Sequence, residues 1–218
     1  MMPHKSGLLA IWMTASQVLL PLVLTPMARA ADQAVVRVEA GQAKQFVSDL
    51  GAQAITVLRQ TGQPIEQREA VFRDMLTQKF ALGFIGRFVL GRYWQTASAD
   101  QQEEYLSLFS EFVLRNYASM LGGYVDEKFE VLGTAEAGQL DRIVSSQIAG
   151  GGRAPIRVDW RLRMIDGKPQ IIDVSVDGIS MSITQREEYS SLVQRNGITG
   201  LLEVLRARTL GLPAEGPA

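Results

Sequence analysis

The stretch "IRVDWRLRM", residues 156–164, places Ile156, Val158, Trp160, Leu162 and Met164 on one side and Arg157, Asp159, Arg161 and Arg163 on the other. Side chains of an extended chain alternate between faces. This is therefore a half-buried strand, and one dry face beside one wet face points to an antiparallel sheet. Two surroundings suit the dry face: helices packed over it as an ordinary core, or a cavity for an apolar molecule.

The period of two extends in both directions. Residues 127–134, 140–149, 154–165 and 169–177 read as four strands, with "AGGGRAP" (149–155) and "DGKP" (166–169) as turns. Before them the period is helical. Residues 42–59 place Phe46, Val47, Leu50, Ala54, Val57 and Leu58 on one stripe, and "TGQP" (61–64) ends it. Pro64 suits the start of a second helix, carrying Phe72, Met75 and Leu76. "FALGFIGRFVLGRYW" (80–94) is rich in large apolar residues, interleaved with Gly83, Gly86 and Gly91. Ser98 and Gln101 in "SADQ" form a capping box for a long helix that Gly122 and Gly123 terminate. Two more helical stretches, 184–195 and 198–208, close the chain. Helices, then strands, then helices predict an α+β domain: a four-stranded antiparallel sheet covered on one face by several helices.

Composition narrows the function. Residues 1–30 read as a secretory signal: His4 and Lys5, the apolar run 7–25, then Ala28-Arg29-Ala30 as a small-x-small cleavage pattern. A transmembrane anchor is the competing reading, but Thr14, Ser16, Gln17 and Pro21 interrupt the run, and cleavage is expected after Ala30. The remainder suits one domain, 31–208, with a flexible tail at 209–218. An exported chain with no cysteine relies on its core alone, which fits a bacterial periplasmic protein.

The single histidine, His4, lies in the segment to be removed. The mature chain thus excludes a Ser-His-Asp triad, a Cys-His pair, and zinc or copper sites of the His/Cys type. No P-loop or G-x-G-x-x-G pattern occurs, and no cofactor is expected. Losing Lys5 and Arg29 leaves 20 basic against 23 acidic residues, a net −3 that suggests neither nucleic acid nor strong attraction to anionic lipid surfaces.

Each remaining candidate has an ordinary reading beside a functional one. "AGGGR" is a hairpin turn or a phosphate cradle. Asp173 and Asp177 share one strand face, as solvated acids or as paired catalytic carboxylates. Arg157, Arg161 and Arg163 are a mixed charged surface or an anion site. The aromatic residues of 80–117 are core, or bulky helices over a slim Val/Ile sheet that leave a dry cavity suited to apolar ligands.

Two longer stretches carry a resemblance. "VLGRYWQTASADQQEEYLSLFSEFVLRNYASML" has a Leu-Gly-x-Tyr-Trp start, a Thr/Ala turn, a Gln pair and an aromatic helix. "IRVDWRLRMIDGKPQIIDVSVDGISMSITQREEYSSLVQRNGITGLLEVL" has an Asp-Val-x-x-x-Gly-x-Ser turn and a closing Gly-x-x-x-Leu-x-x-x-Leu. Together, over roughly residues 45–208, the chain resembles the MlaC family, also called the toluene-tolerance family. The resemblance implies a periplasmic, non-enzymatic lipid carrier with acyl chains in a cavity between sheet and helices. It implies as candidate wall residues Phe84, Phe88, Tyr93, Tyr105, Phe109 and Phe112 from the helices, and Val158, Trp160, Leu162, Val174, Val176, Ile179 and Met181 from the strands and the last turn. It implies as partners a phospholipid, an inner-membrane ABC transporter complex with a substrate-binding ring, and an outer-membrane lipoprotein complex.

The chain departs from the family pattern at Trp160, at Ile172 and at "GKPQ" (167–170), so a hopanoid ligand, as in one branch of the family, stays open. Two other readings also stay open: an isomerase-like enzyme, which needs a carboxylate pointing into the cavity, and an adaptor with a fully packed interior.

Overall fold

The strands form one antiparallel meander in sequence order: β1 (Lys128–Ala137), β2 (Asp141–Gly150), β3 (Arg153–Ile165), β4 (Lys168–Val176) and the two-residue β5 (Ile179–Ser180). The computed structural model describes residues 36–60, 62–118, 127–150 and 153–210. Expectations for the leader, for Gly122–Gly123, for the middle of "AGGGRAP" and for the tail from residue 211 lie outside these. The expected four strands gain a short fifth, because the chain turns tightly at Asp177–Gly178 and pairs Val176 with Ile179. The same device joins β3 to β4 at Asp166–Gly167, where Ile165 pairs with Lys168. Asp166 and Asp177 have φ of 50° and 47°, as a two-residue hairpin turn of this hand requires.

The opening stretch is the centre of β3. Val158, Trp160 and Leu162 pair with Val176, Val174 and Ile171, so the alternation survives into β4 only across a bulge. Ile172 is the extra residue there, and both Ile171 and Ile172 are buried.

Among the described residues five helices accompany the sheet: α1 (Ala40–Arg59), α2 (Ile65–Lys79), α3 (Leu82–Leu90), α4 (Ala99–Ala118) and α5 (Met181–Thr209), with a 3₁₀ turn at Gly91–Gln95. The predicted capping box opens α4: the Ser98 amide donates to Gln101 Oε1 at 3.0 Å and the Gln101 amide to Ser98 Oγ at 3.2 Å. The two predicted closing helices are the halves of α5, divided at Gly197. Among the described residues no helix is long and apolar enough to cross a membrane.

The core has two main parts. Val47 and Leu50 of α1 and Met75 of α2 pack on Val144, Leu162 and Ile171 of the sheet. Helices α3, α4 and α5 pack on one another through Val89, Leu90, Tyr105, Phe109, Tyr189 and Leu205. The second bundle meets the sheet along β4. The link before α3 is stitched to that strand: Phe80 bridges to Ile171, and the Ala81 amide donates to the Ile171 carbonyl at 2.9 Å.

Candidate functional site

A cavity of about 170 Å³ lies where α3, α4 and the start of α5 meet β4. Leu82, Ile85 and Val89 of α3 line it at helical spacing, as do Phe109, Phe112, Val113 and Asn116 of α4. Phe80 and Val174 come from the sheet side. The wall turns polar at Asp173, Ser182, Thr184 and Gln185, beside Met181. An apolar interior with a few polar groups gathered at one part suits a molecule with a greasy body and a polar head.

Aromatic packing holds the inner wall. Tyr105 stacks on Phe109 at 5.8 Å, and both meet Tyr189 edge-on at 6.3 and 6.4 Å. The Tyr105 hydroxyl donates to the Gly86 carbonyl at 3.0 Å, tying α4 to α3. Gly86 permits this approach: a Cβ there would stand 2.8 Å from Leu106 and 3.0 Å from Phe109. Burial pushes both tyrosine phenols well above their ordinary pKa, so they stay neutral.

Asp173 is the acid on the wall. Its carboxylate accepts from Ser180 Oγ at 2.6 Å and from the backbone amides of Ser182 (3.1 Å) and Val174 (2.9 Å). Ser180 Oγ in turn accepts from the Ile183 amide, capping α5. A carboxylate at a helix N-terminus also meets the positive end of the helix dipole. The expectation of a solvated Asp173 is corrected, because the tight turn at Asp177 folds Ser180 and Ser182 back over it. Asp177 stays at the strand end, accepting from the Arg157 amide at 3.0 Å. The two acids thus have separate partners, Asp173 at the start of α5 and Asp177 on the backbone of β3.

The charged face of β3 is likewise more organised than its alternation suggested. Arg157 pairs with Asp159 at 3.3 Å. Arg161 and Arg163 converge on Asp141, at 2.6 and 2.5 Å, whose side chain is 1 % exposed. Burial alone would raise the Asp141 pKa, but the hydrogen bonds and charges of the two guanidiniums outweigh it and hold the carboxyl below its usual range.

Of the candidate wall residues, Phe109, Phe112, Val174 and Met181 border the cavity. The others are placed elsewhere. Val158 and Leu162 are buried, and Leu162 packs under α1 and α2. Trp160 meets Phe129 edge-on at 6.3 Å and donates to Ser146 Oγ at 2.8 Å. Tyr105 is wholly buried behind the wall, and Tyr93 lies beneath Arg92. Val176 is half-buried at the end of β4, and Ile179 is exposed on β5. Phe84 and Phe88 are exposed. The reason is helical phase: Leu82, Ile85 and Val89 form the inward stripe of α3, which puts both phenylalanines outside. Those three residues and Val113 were absent from the sequence expectation, although their i, i+3, i+7 spacing was visible.

A family model described as MlaC protein matches residues 48–207, most of the chain. The chain belongs to the MlaC family. It is 27 % identical over 136 residues to the intermembrane phospholipid transport system binding protein MlaC of Haemophilus influenzae. That match covers 61 % of this chain and 64 % of the relative, so it spans somewhat less than two thirds of the relative's length. A phospholipid-binding protein from Ralstonia solanacearum, solved in complex with a phospholipid, has the same fold: TM-score 0.69, 19 % identity, covering 78 % of this chain and 97 % of that one. Of the motifs that carry the MlaC resemblance, the Asp-Val-x-x-x-Gly-x-Ser turn holds the Asp173 clamp on the cavity wall, whereas the Leu-Gly-x-Tyr-Trp segment begins one residue after the last wall residue of α3, Val89.

Proposed function

We propose that this MlaC-family chain is a periplasmic, non-catalytic carrier that holds phospholipid acyl chains in the α3–α4–α5–β4 cavity. The observation that carries the reading is the cavity itself: apolar along α3 and along α4 as far as Asn116, polar around Asp173 and the start of α5. Family membership supports it, as do the names of the two relatives. At about 170 Å³ the cavity is smaller than the ~300–1,000 Å³ of pockets that enclose drug-sized ligands. Loading a two-chain lipid therefore requires the helices to part from β4. Each methylene buried contributes about 0.8 kcal/mol, so a chain of ordinary length supplies ample driving force for that opening.

The carrier would pass lipid between an outer-membrane lipoprotein complex and an inner-membrane ABC transporter complex, maintaining outer-membrane lipid asymmetry. Residues 1–30 would be its cleaved leader and 31–208 its single lipid-binding domain, to which the buried Thr209 at the end of α5 is added. The apolar run and the Ala28-Arg29-Ala30 pattern support export.

Native mass spectrometry of protein taken from bacterial periplasm tests this, with organic extraction to identify what is bound. A stoichiometric phospholipid supports the reading. A hopanoid keeps the carrier and changes its cargo. A mass without ligand, and no uptake from added liposomes, overturns it.

A further inference from the structure

Helix α3 has a second face. Leu82, Ile85 and Val89 look into the cavity, whereas Phe84, Arg87 and Phe88, at i, i+3 and i+4, form an outward stripe. The two phenylalanines are 38 % and 37 % exposed. Cations lie over this stripe and its continuation: Arg163 is 5.0 Å from the Phe84 ring, Arg186 5.0 Å from Phe88, Arg87 5.4 Å from Trp94 and Arg92 4.9 Å from Tyr93. Exposed Ile183 stands one turn before Arg186 on α5. Among the described residues, Arg87, Arg92 and Arg186 have no carboxylate within ion-pairing distance. Arg163 shares its one acid, Asp141, with Arg161.

We infer that this stripe docks the protein onto an anionic phospholipid bilayer. Guanidinium groups match phosphate oxygens, and aromatic rings with a charged partner suit the level of the headgroups. The wall that faces the bilayer would then be the wall of the cavity, about one helix diameter, ~10 Å, from the lipid. The chain's overall negative charge does not oppose this, because charges more than a Debye length of ~8–10 Å away are screened. An acidic protein partner matches the cations, but not the placing of exposed rings on the outer side of the cavity's own wall. The purpose of this surface rests on the carrier reading, while its chemistry is measured separately.

The test is co-sedimentation of protein exported to and purified from bacterial periplasm. The vesicles are phosphatidylcholine with and without phosphatidylglycerol, at low and high salt. Binding to the phosphatidylglycerol vesicles that weakens with salt is expected. In Arg87→Glu/Arg92→Glu it falls at least roughly 25-fold, taking ~1 kcal/mol for each basic residue near the surface. Lys44→Glu/Arg59→Glu, the same charge change placed on α1, keeps most of the binding. Melting curves confirm that both variants fold. Equal loss in both variants, or none in Arg87→Glu/Arg92→Glu, overturns the assignment. Absence of wild-type binding overturns it too, and leaves the stripe to an acidic protein. Bound lipid is read from the mass of the same samples. Empty protein that still docks through α3 sinks the carrier reading alone, and loaded protein that ignores anionic vesicles sinks this inference alone.

Discussion

Asp141 and Ser146 show what single residues decide in β2. Asp141 is a buried carboxylate whose two arginine partners keep it charged. Its folded pKa lies below the unfolded value near 4. Its contribution is therefore complete above that value and is lost as pH falls through the folded one. Asp141→Asn leaves the guanidiniums without their counter-charge and, because both arginines reach solvent, is expected to cost about 1–2 kcal/mol, less than breaking a fully buried pair. Urea unfolding at pH 7 measures that cost, and an acid titration should show a flatter stability profile in the variant. Ser146 Oγ accepts from Trp160 Nε1 and donates to the Val158 carbonyl at 3.0 Å, inside the core. Ser146→Ala strands the indole N–H and is expected to lower stability by about 1–3 kcal/mol in the same assay. Neither residue stood out in the sequence, because Asp141 opens a strand like many acids and Ser146 is one of a pair of serines. Their roles arise from partners about twenty and about a dozen residues away.

At the scale of elements, α5 and α3 differ in how much of them was legible. The division of α5 was visible in the gap between two helical stretches, and Gly197 is its cause, with φ 69° and ψ 179°. That conformation is essentially open to glycine alone. Gly197→Ala is expected to cost about 1–3 kcal/mol, seen as a lower melting temperature, although no atom crowds the position. Strand alternation through β3 was equally plain, and Asp166–Gly167 announced the β3–β4 hairpin, whereas the hairpin at Asp177–Gly178 and its short strand β5 were not foreseen. The bulge at Ile172 was not, since one extra residue changes which side chains share a face without changing composition. Helix α3 was legible as apolar and ambiguous in phase. Its aromatic residues drew attention, yet the smaller Leu82, Ile85 and Val89 form the wall. Size was a poor guide because an exposed phenylalanine can lie under an arginine.

For the molecule as a whole, the cavity exists because two packed units, α1–α2 on the sheet and the α3–α5 bundle, meet along β4 without filling the space between. Narrowing it should weaken lipid retention and leave the fold intact. Val113→Phe places a larger side chain on the wall from α4. Displacing about two methylenes of lipid costs about 1.6 kcal/mol, a roughly 15-fold weaker retention. Native mass spectrometry of lipid remaining after dilution into buffer checks this, with a melting curve to show that the protein folds. Unchanged retention would move the lipid elsewhere in the molecule.

The sequence by itself determined the succession of helices, strands and helices, the antiparallel sheet, the capping box of α4, the break in α5 and the family. Each of these is written in neighbours a few residues apart, through period, turn chemistry or motif. Only the tertiary structure decided which stripe of α3 faces inward, that Asp173 clamps the start of α5, that Asp141 gathers two arginines, and that Trp160 and Leu162 belong to the α1 side of the core. Periodicity sets the relative phase of side chains within one helix or strand. Which phase turns inward depends on what packs against it, and that is settled by contacts between residues far apart in the chain.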